Sequence, residues 1–510
     1  MLRFAPVSWP MTDAKSYRQI LRSSVIIGGA SILNILVGLV RTKVAAVLLG
    51  PAGVGLIGLF QNLMSMASTV AGLGFGNVGT RQIAEAAGRD DRHAVAAARR
   101  ALFWGTLLLA VAGAALFWAL RDVLAVMVVG DARSGVQIQW LAIGVAATVG
   151  ASSQGALLNG LRRIGDIARV SIFSALLSTV LGIFLLLWLG QTGVVAFVLV
   201  APLCTLLFGY IFALRMPKVS LPATPWLLIA AQWRMLAKLG AAFMLAGVVA
   251  TLAQLLVRTL VQKHLGPNGL GNFQASWQIS MTYLGFVLSA MGTDYYPRLT
   301  ACIDDRVATN RMVNEQTEVA LLLGGPVLLA MMGLAPWVIE LLYSRQFQEA
   351  QGVLRWQVIG DLLKILSWPL GFILLAAGNG RAFLITEAIG FGLFVILTWC
   401  GLPALGIQAT GMAFVGMYAA YLPMVYWLAH RKTGFRWSPR IWRQSGALLG
   451  LCVLVKFLAE WSLFAGGVFS LVAAFGLAIH AMVQFSRCGA SENPVGRLCM
   501  KIFRKLPIYK

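Results

Sequence analysis

Apolar stretches of about 20 residues follow one another along almost the whole chain, each long enough to cross a bilayer as a helix. About 14 such stretches can be drawn, over residues 22–49, 52–74, 99–128, 136–159, 168–189, 192–214, 236–262, 270–292, 316–343, 353–377, 382–402, 408–430, 446–463 and 465–485. Charged residues make up 12% of the chain, against about 25% in soluble domains. A soluble protein of this size has no interior large enough to hide the apolar remainder. The expected fold is therefore an all-α polytopic membrane protein, with connections too short to house a soluble catalytic domain. No small-residue cleavage site follows a short apolar stretch at the start, and the first helix runs past residue 40. A cleaved signal peptide is not expected.

The charges sort by side. Lys and Arg cluster at 3–22, 81–100, 162–169, 215–238, 298–311, 381, 431–443 and 487–510, which together hold most of the 41 basic residues. With the spans drawn above, all these clusters fall on one side, and positive loops stay in the cytoplasm. Both termini are expected to be cytoplasmic. The net charge of +23 then reflects topology and anionic lipid headgroups. No basic domain stands apart from the spans to suggest nucleic acid as a partner. The cysteines (Cys204, Cys302, Cys400, Cys452, Cys488, Cys499) lack metal or redox spacing, and the four histidines are scattered; both read as packing or interface residues.

The chain repeats itself. Residues 39–55 read LVRTKVAAVLLGPAGVG and residues 256–271 read LVRTLVQKHLGPNGLG. The parallel continues. Gly79-Thr80 leads to Asp90-Asp91, as Gly292-Thr293 leads to Asp304-Asp305. LLNGLRRIGD matches LLAAGNGRAF, and LGQTGVVAFV (189–198) matches LGIQATGMAFV (405–415). Residues 18–215 and 234–431 are thus two copies of a six-helix unit. Six is even, so both copies enter the membrane the same way, the parallel-repeat case. The expected organisation is an N-terminal six-helix bundle (1–216) and a C-terminal one (232–432) around a central cleft. Two extra helices (443–486) and a basic tail (487–510) follow. Glycines such as Gly28, Gly29 and Gly38 in the first helix suit either bending joints or tight helix packing.

Charges inside apolar helices are the candidates for function. Arg41 and Arg258, kept by the duplication, either face a cavity or snorkel to the headgroups; Lys43 and Lys263 follow them. Arginine suits phosphate better than lysine does. Asp361 and Lys364 share a face of one span. They read either as a self-neutralising pair or as a cationic substrate contact beside a carboxylate that takes a proton or sodium ion. Asp294 and Arg298 again allow an internal pair, and Glu387 is a lone apolar-flanked acid. Glu340, Lys456 and Glu460 read as outer-edge or paired charges. The G-x-G-x-x-G string at 74–79 lacks the strand that such a fingerprint requires. No P-loop, H-E-x-x-H or G-x-S-x-G string occurs, so no catalytic site, metal or cofactor is expected.

GPAGVGL (50–56), YYPRL (295–299) and WQVIGDLLK (356–364) carry a resemblance. Over about residues 15–432 the chain resembles the Wzx-type lipid-linked oligosaccharide flippases. These are the O-antigen and enterobacterial-common-antigen translocases of the multidrug/oligosaccharidyl-lipid/polysaccharide exporter superfamily. The resemblance implies two six-helix bundles around a cationic inward-facing cleft, with cationic positions near Arg41 and Arg258 and an Asp–Lys pair at Asp361 and Lys364. It implies flipping of an undecaprenyl-diphosphate-linked glycan to the periplasmic leaflet of a bacterial inner membrane by alternating access. Substrate binding would fall to Arg41, Arg258, Lys364, Lys43, Lys263 and Arg298. Proton or sodium coupling would fall to Asp361, Glu387 and Asp294. Membrane lipids and polysaccharide assembly proteins are the further partners expected. The two added C-terminal spans depart from the family pattern. A multidrug or cation antiporter of the same superfamily is the rival reading, and a membrane glycan polymerase or ligase a more distant one, because the outward loops are short.

Overall fold

The computed structural model describes residues 14–89, 92–216 and 226–487, with side chains described for all of these except 14–27, 92, 226–243, 246, 289–294 and 486–487. The described backbone is helical almost throughout and contains no strand. Lipid cannot hydrogen-bond an exposed backbone, and a helix satisfies its own. The elements are α1 (Ala14–Gly72), α2 (Phe75–Gly88), α3 (Arg92–Ala119), α4 (Arg121–Leu124), α5 (Gly135–Gly160), α6 (Ile164–Leu189), α7 (Val194–Leu214), α8 (Trp226–Cys302), α9 (Arg306–Leu342), α10 (Ala350–Ala376), α11 (Gly380–Leu405), α12 (Gln408–Thr433), α13 (Pro439–Trp461) and α14 (Leu463–Arg487).

Two of these helices are too long for one crossing: α1 has 59 residues and α8 has 77. Each breaks at the same point of the repeat. Gly50 has φ 63° and ψ −168° before Pro51, and Gly266 has φ 70° and ψ −173° before Pro267. A residue preceding proline is driven out of the helical region, and only glycine takes this positive-φ extended conformation at little cost. The proline then starts the next leg, where its missing N–H costs nothing. Ten described segments are long and apolar enough to cross a membrane, and two of them, Gly28–Gly72 and Ile164–Leu214, are long enough to cross twice. Counted so, these ten segments account for twelve of the ~14 crossings expected from apolar length, and α8 is not among them. The chain is a multi-pass membrane protein.

The repeat is also legible in its turns. Gly190, between α6 and α7, has φ 57° and ψ −132°; Gly406, between α11 and α12, has φ 55° and ψ −143°. Arg162 after α5 and Gly378 after α10 both take a left-handed φ, at 52° and 70°.

The chain divides into two compact units. The first is Met1–Leu48, Phe60–Val126 and Asp131–Val248; the second is Leu49–Leu59, Met127–Gly130 and Val249–Lys510. In the first unit, α3, α5, α6 and α7 pack on one another. Short α2 lays Phe75, Val78 and Ile83 against Leu102 of α3 and Leu157 of α5. In the second unit α10 is the axis, against α9 and α12, with α11 on α12. Most of its apolar stretch is buried (72%), which puts the charges of α10 inside protein rather than in lipid. The added helices α13 and α14 pack on α9. Ser470 of α14 donates to the Leu329 carbonyl at 2.5 Å, and Gly333 leaves the space that Ser470 fills.

Within the second unit the two copies of GPxGxG meet backbone to backbone. A methyl group added at Gly55 would lie 2.7 Å from the Gly271 amide nitrogen, and one added at Gly271 would overlap the Pro51 carbonyl. These glycines are close-approach residues of the kind that lets apolar helices touch. Gly28, Gly29 and Gly38 are different: a methyl group there meets nothing within 4 Å. Gly271→Ala should therefore destabilise the purified protein by about 1–3 kcal/mol, the usual cost of overpacking. Gly38→Ala should leave the thermal midpoint in detergent unchanged or slightly raised. Equal midpoints for both variants would contradict the crossing.

Candidate functional site

Arg41 rises from α1 between α6 and α7 of the first unit. Its Nη2 donates to the Phe197 carbonyl at 2.7 Å, and its guanidinium carbon lies 4.2 Å from the Phe197 ring centroid. Its Nε is buried without a hydrogen-bond partner. The side chain lines a cavity of about 430 Å³ among α1, α5, α6 and α7. The polar lining is Asn34, Ser171, Ser174, Ser178 and Thr205, with no acid among the described lining residues. The three serines are spaced three and four apart, so they form one stripe of α6. Asn34 Nδ2 donates to Ser171 Oγ at 2.5 Å, while Asn34 Oδ1 is buried and unpartnered.

Arg258, the repeat counterpart, is 3% exposed in the second unit. Its Nε donates to Gln274 Oε1 at 3.1 Å and its Nη1 to the Gln254 carbonyl at 3.2 Å. The rings of Phe273 and Trp277 lie 5.6 and 5.8 Å from its guanidinium carbon. Gln274 reaches this position because its own repeat counterpart, Gly58, has no side chain; a methyl group there would overlap the Gln274 amide. The duplication thus preserves both arginines but gives them unlike partners. Neither meets a carboxylate among the described residues. Both guanidiniums lie among helices, held by neutral acceptors and aromatic faces, contacts that are worth most when desolvated.

A second polar group sits on α10 of the same unit. Asp361 is fully buried. Its Oδ2 accepts from Ser280 Oγ at 2.7 Å and from the Tyr283 hydroxyl, and its Oδ1 has no partner. No ion pair joins it to Lys364. Lys364 Nζ instead contacts Met281 Sδ at 3.6 Å and lies 5.9 Å from the Tyr418 ring centroid. Half-buried Glu387 of α11 accepts from the Tyr421 hydroxyl at 2.6 Å. Gln357, one turn before Asp361, is buried with neither amide atom partnered. A buried carboxylate held by hydroxyls rather than by a cation has a free oxygen with which to take a proton or a metal cation.

The remaining sequence candidates scatter. Lys43 is half-buried, Lys263 is exposed, and Arg298 is exposed near the end of α8. The side chain of Asp294 lies outside the described residues. Lys456 pairs with Glu460 at 2.6 Å, and Glu340 with Arg345 at 2.6 Å. Sequence reasoning passed over Gln274, Ser280, Tyr283 and Gln357. It also gave no role to Arg355, which is 7% exposed with Nε and Nη2 unpartnered. The serine stripe of α6 was available as a signal: three hydroxyls on one face of an otherwise apolar helix.

The sequence profile of a family described as Polysaccharide biosynthesis protein matches residues 44–351. The Lipid III flippase of Escherichia coli (strain K12) is 24% identical over 415 residues, covering 79% of this chain and 96% of the relative. That of Shigella flexneri matches to the same extent. Among solved structures, the lipid II flippase MurJ in an inward closed conformation superposes with a TM-score of 0.69 at 12% identity, over 92% of this chain and 99% of that one. An inward-facing multidrug resistance MATE family transporter of the MOP superfamily gives 0.67 at 16% identity, over 81% and 98%. At these identities the two structures speak for the fold.

Tyr283→Phe and Ser280→Ala each remove a hydroxyl from a buried carboxylate. Each should cost about 1.5–3 kcal/mol, as measured for hydrogen bonds to charged groups. Both donate to the same oxygen, so the double variant should depart from additivity. Thermal unfolding of the four proteins checks this; additive losses would mean that the hydroxyls do not act on one atom.

Proposed function

The chain belongs to the polysaccharide biosynthesis protein family, and from that premise we propose that it flips a lipid-linked oligosaccharide, with undecaprenyl diphosphate as the carrier. Transport runs from the cytoplasmic to the periplasmic leaflet of a bacterial inner membrane by alternating access, with both termini cytoplasmic. The observation that carries the reading is the pair of desolvated arginines without a counter-ion among the described residues. Among the described residues, Arg41 and Arg258 are held by carbonyl, amide and aromatic groups. A cationic side chain is costly in a membrane interior unless something anionic meets it, and a diphosphate matches the guanidinium fork. A cationic drug would call for an acidic lining, and the described lining of the Arg41 cavity has none. Relatives named Lipid III flippase, aligned over nearly their full length, support the same cargo class.

In this mechanism Arg41, Arg258 and Lys364 neutralise the diphosphate, with Lys43, Lys263 and Arg298 on its route. The polyprenyl tail stays in the bilayer throughout. Asp361, with Glu387 and Asp294 as the other acids, exchanges a proton or sodium ion and so returns the carrier. One elementary charge moving down a membrane potential of 100 mV supplies about 2.3 kcal/mol, enough to bias direction by well over tenfold.

The test is complementation of a strain lacking the gene, with polyprenyl-diphosphate glycan quantified in the inner leaflet and glycan at the cell surface. Arg41→Ala and Arg258→Ala should each lower export by about 10- to 100-fold, the equivalent of one lost charge-assisted hydrogen bond, at unchanged membrane abundance. Lysine at either position should keep part of the activity. Wild-type export by both alanine variants overturns the anion clamp. Asp361→Asn should abolish the dependence of flipping on an imposed ion gradient in proteoliposomes, and a retained dependence removes Asp361 from the coupling.

A further inference from the structure

The helices beyond the duplicated part of the chain carry a cavity of their own. With α9 they enclose about 780 Å³, within the ~300–1,000 Å³ range of small-molecule sites. The lining is polar and basic at one end, with Arg440, Arg443 and Gln444 from the start of α13, and His480 and Gln484 from the end of α14. The remainder is aliphatic, reaching Leu451 on α13 and including Leu321 of α9 and Leu477 of α14. No acid is among the described lining residues; Glu318, one turn before Leu321, stays outside it.

Three observations say what fits. From Arg440 to Leu451 α13 rises about 16 Å, close to half of the ~30 Å hydrocarbon core. The basic end lies beside Trp437 and Trp442, whose ring centroids are 5.1 Å apart, and tryptophans of this kind mark the headgroup level. Gln444 Oε1 is buried with no donor facing it, and Arg443 gives the described protein only a 3.4 Å bond from Nε to the Pro439 carbonyl. A groove one leaflet deep, with two guanidiniums at its mouth and an aliphatic arm behind them, has the polarity profile of a phospholipid.

We infer that this groove holds a resident anionic glycerophospholipid. Its phosphate sits against Arg440 and Arg443, and an acyl chain runs along the leucines. Guanidinium suits the phosphate, and a basic lining without an acid favours a head of net negative charge over choline, whose ammonium it gives no partner. A 55-carbon polyprenyl chain exceeds a groove of this length, which separates the site from the cargo.

The experiment uses full-length protein in mild detergent, with bound lipid counted by native mass spectrometry during titration with phosphatidylglycerol, phosphatidylcholine or inorganic phosphate. Phosphatidylglycerol should be retained at least tenfold more strongly than phosphatidylcholine, and inorganic phosphate should not displace it. Arg440→Gln combined with Arg443→Gln should lower retention at least tenfold. Leu451→Trp, which fills the apolar arm and keeps both cations, should lower it too, and decides the matter should the double variant fail to fold. Equal retention of the two lipids, undiminished retention in a folded variant, or displacement by inorganic phosphate overturns the inference. So does displacement by undecaprenyl diphosphate at concentrations below those at which phosphatidylglycerol binds.

Discussion

The backbone crossing of the two GPxGxG segments is the contact from which the rest of the second unit can be read. Gly50 and Gly266 bend their helices at nearly the same φ and ψ, and the legs that follow approach until Gly55 and Gly271 have room for hydrogen only. Three residues further along each leg, the same closeness lets Gln274 occupy the space left by Gly58. There its amide oxygen takes the Arg258 Nε. One steric constraint thus reaches from a turn to a buried cation. It also explains why the repeat is written in glycine: hydrophobic burial does not drive helices together in lipid, so close van der Waals approach must.

The second theme is how a chain keeps charge inside a membrane protein. Among the described residues, Arg41, Arg258 and Asp361 are not paired with opposite charges. They are held by neutral dipoles and aromatic faces: a carbonyl and ring of Phe197, an amide of Gln274, hydroxyls of Ser280 and Tyr283. Dipoles stabilise an ion without cancelling it, so the net charge remains for an incoming partner of opposite sign. A structural ion pair such as Lys456–Glu460 does the reverse, and its charge is spent locally.

Much of the architecture was legible in the sequence because its signals are local. Apolar length gives the crossings, and the Gly-Pro dipeptides mark the breaks in α1 and α8. The duplicated strings announce turns whose backbone angles coincide, as at Gly190 and Gly406. The environment of each charge was not legible. Asp361 and Lys364 share a helix face by spacing, yet the carboxylate bonds to hydroxyls some 80 positions earlier in the chain, at 81 and 78 residues' separation. Arg41 and Arg258 are equivalent as letters, yet one rests on α7 and the other on the second leg of α8. A repeat copies residue types, whereas surroundings depend on every partner that has diverged since.

The fastening of α14 to α9 has a consequence for biogenesis. Ser470 is 141 residues downstream of the Leu329 carbonyl it bonds. At roughly 5–20 residues per second, the ribosome needs on the order of ten seconds to deliver that cover after α9 has been made. Throughout this interval the notch at Gly333 is open to whatever the insertion machinery or the surrounding lipid offers. The last hairpin therefore acts as a late closing piece, and a chain stalled before it would leave the membrane with an unsealed helix.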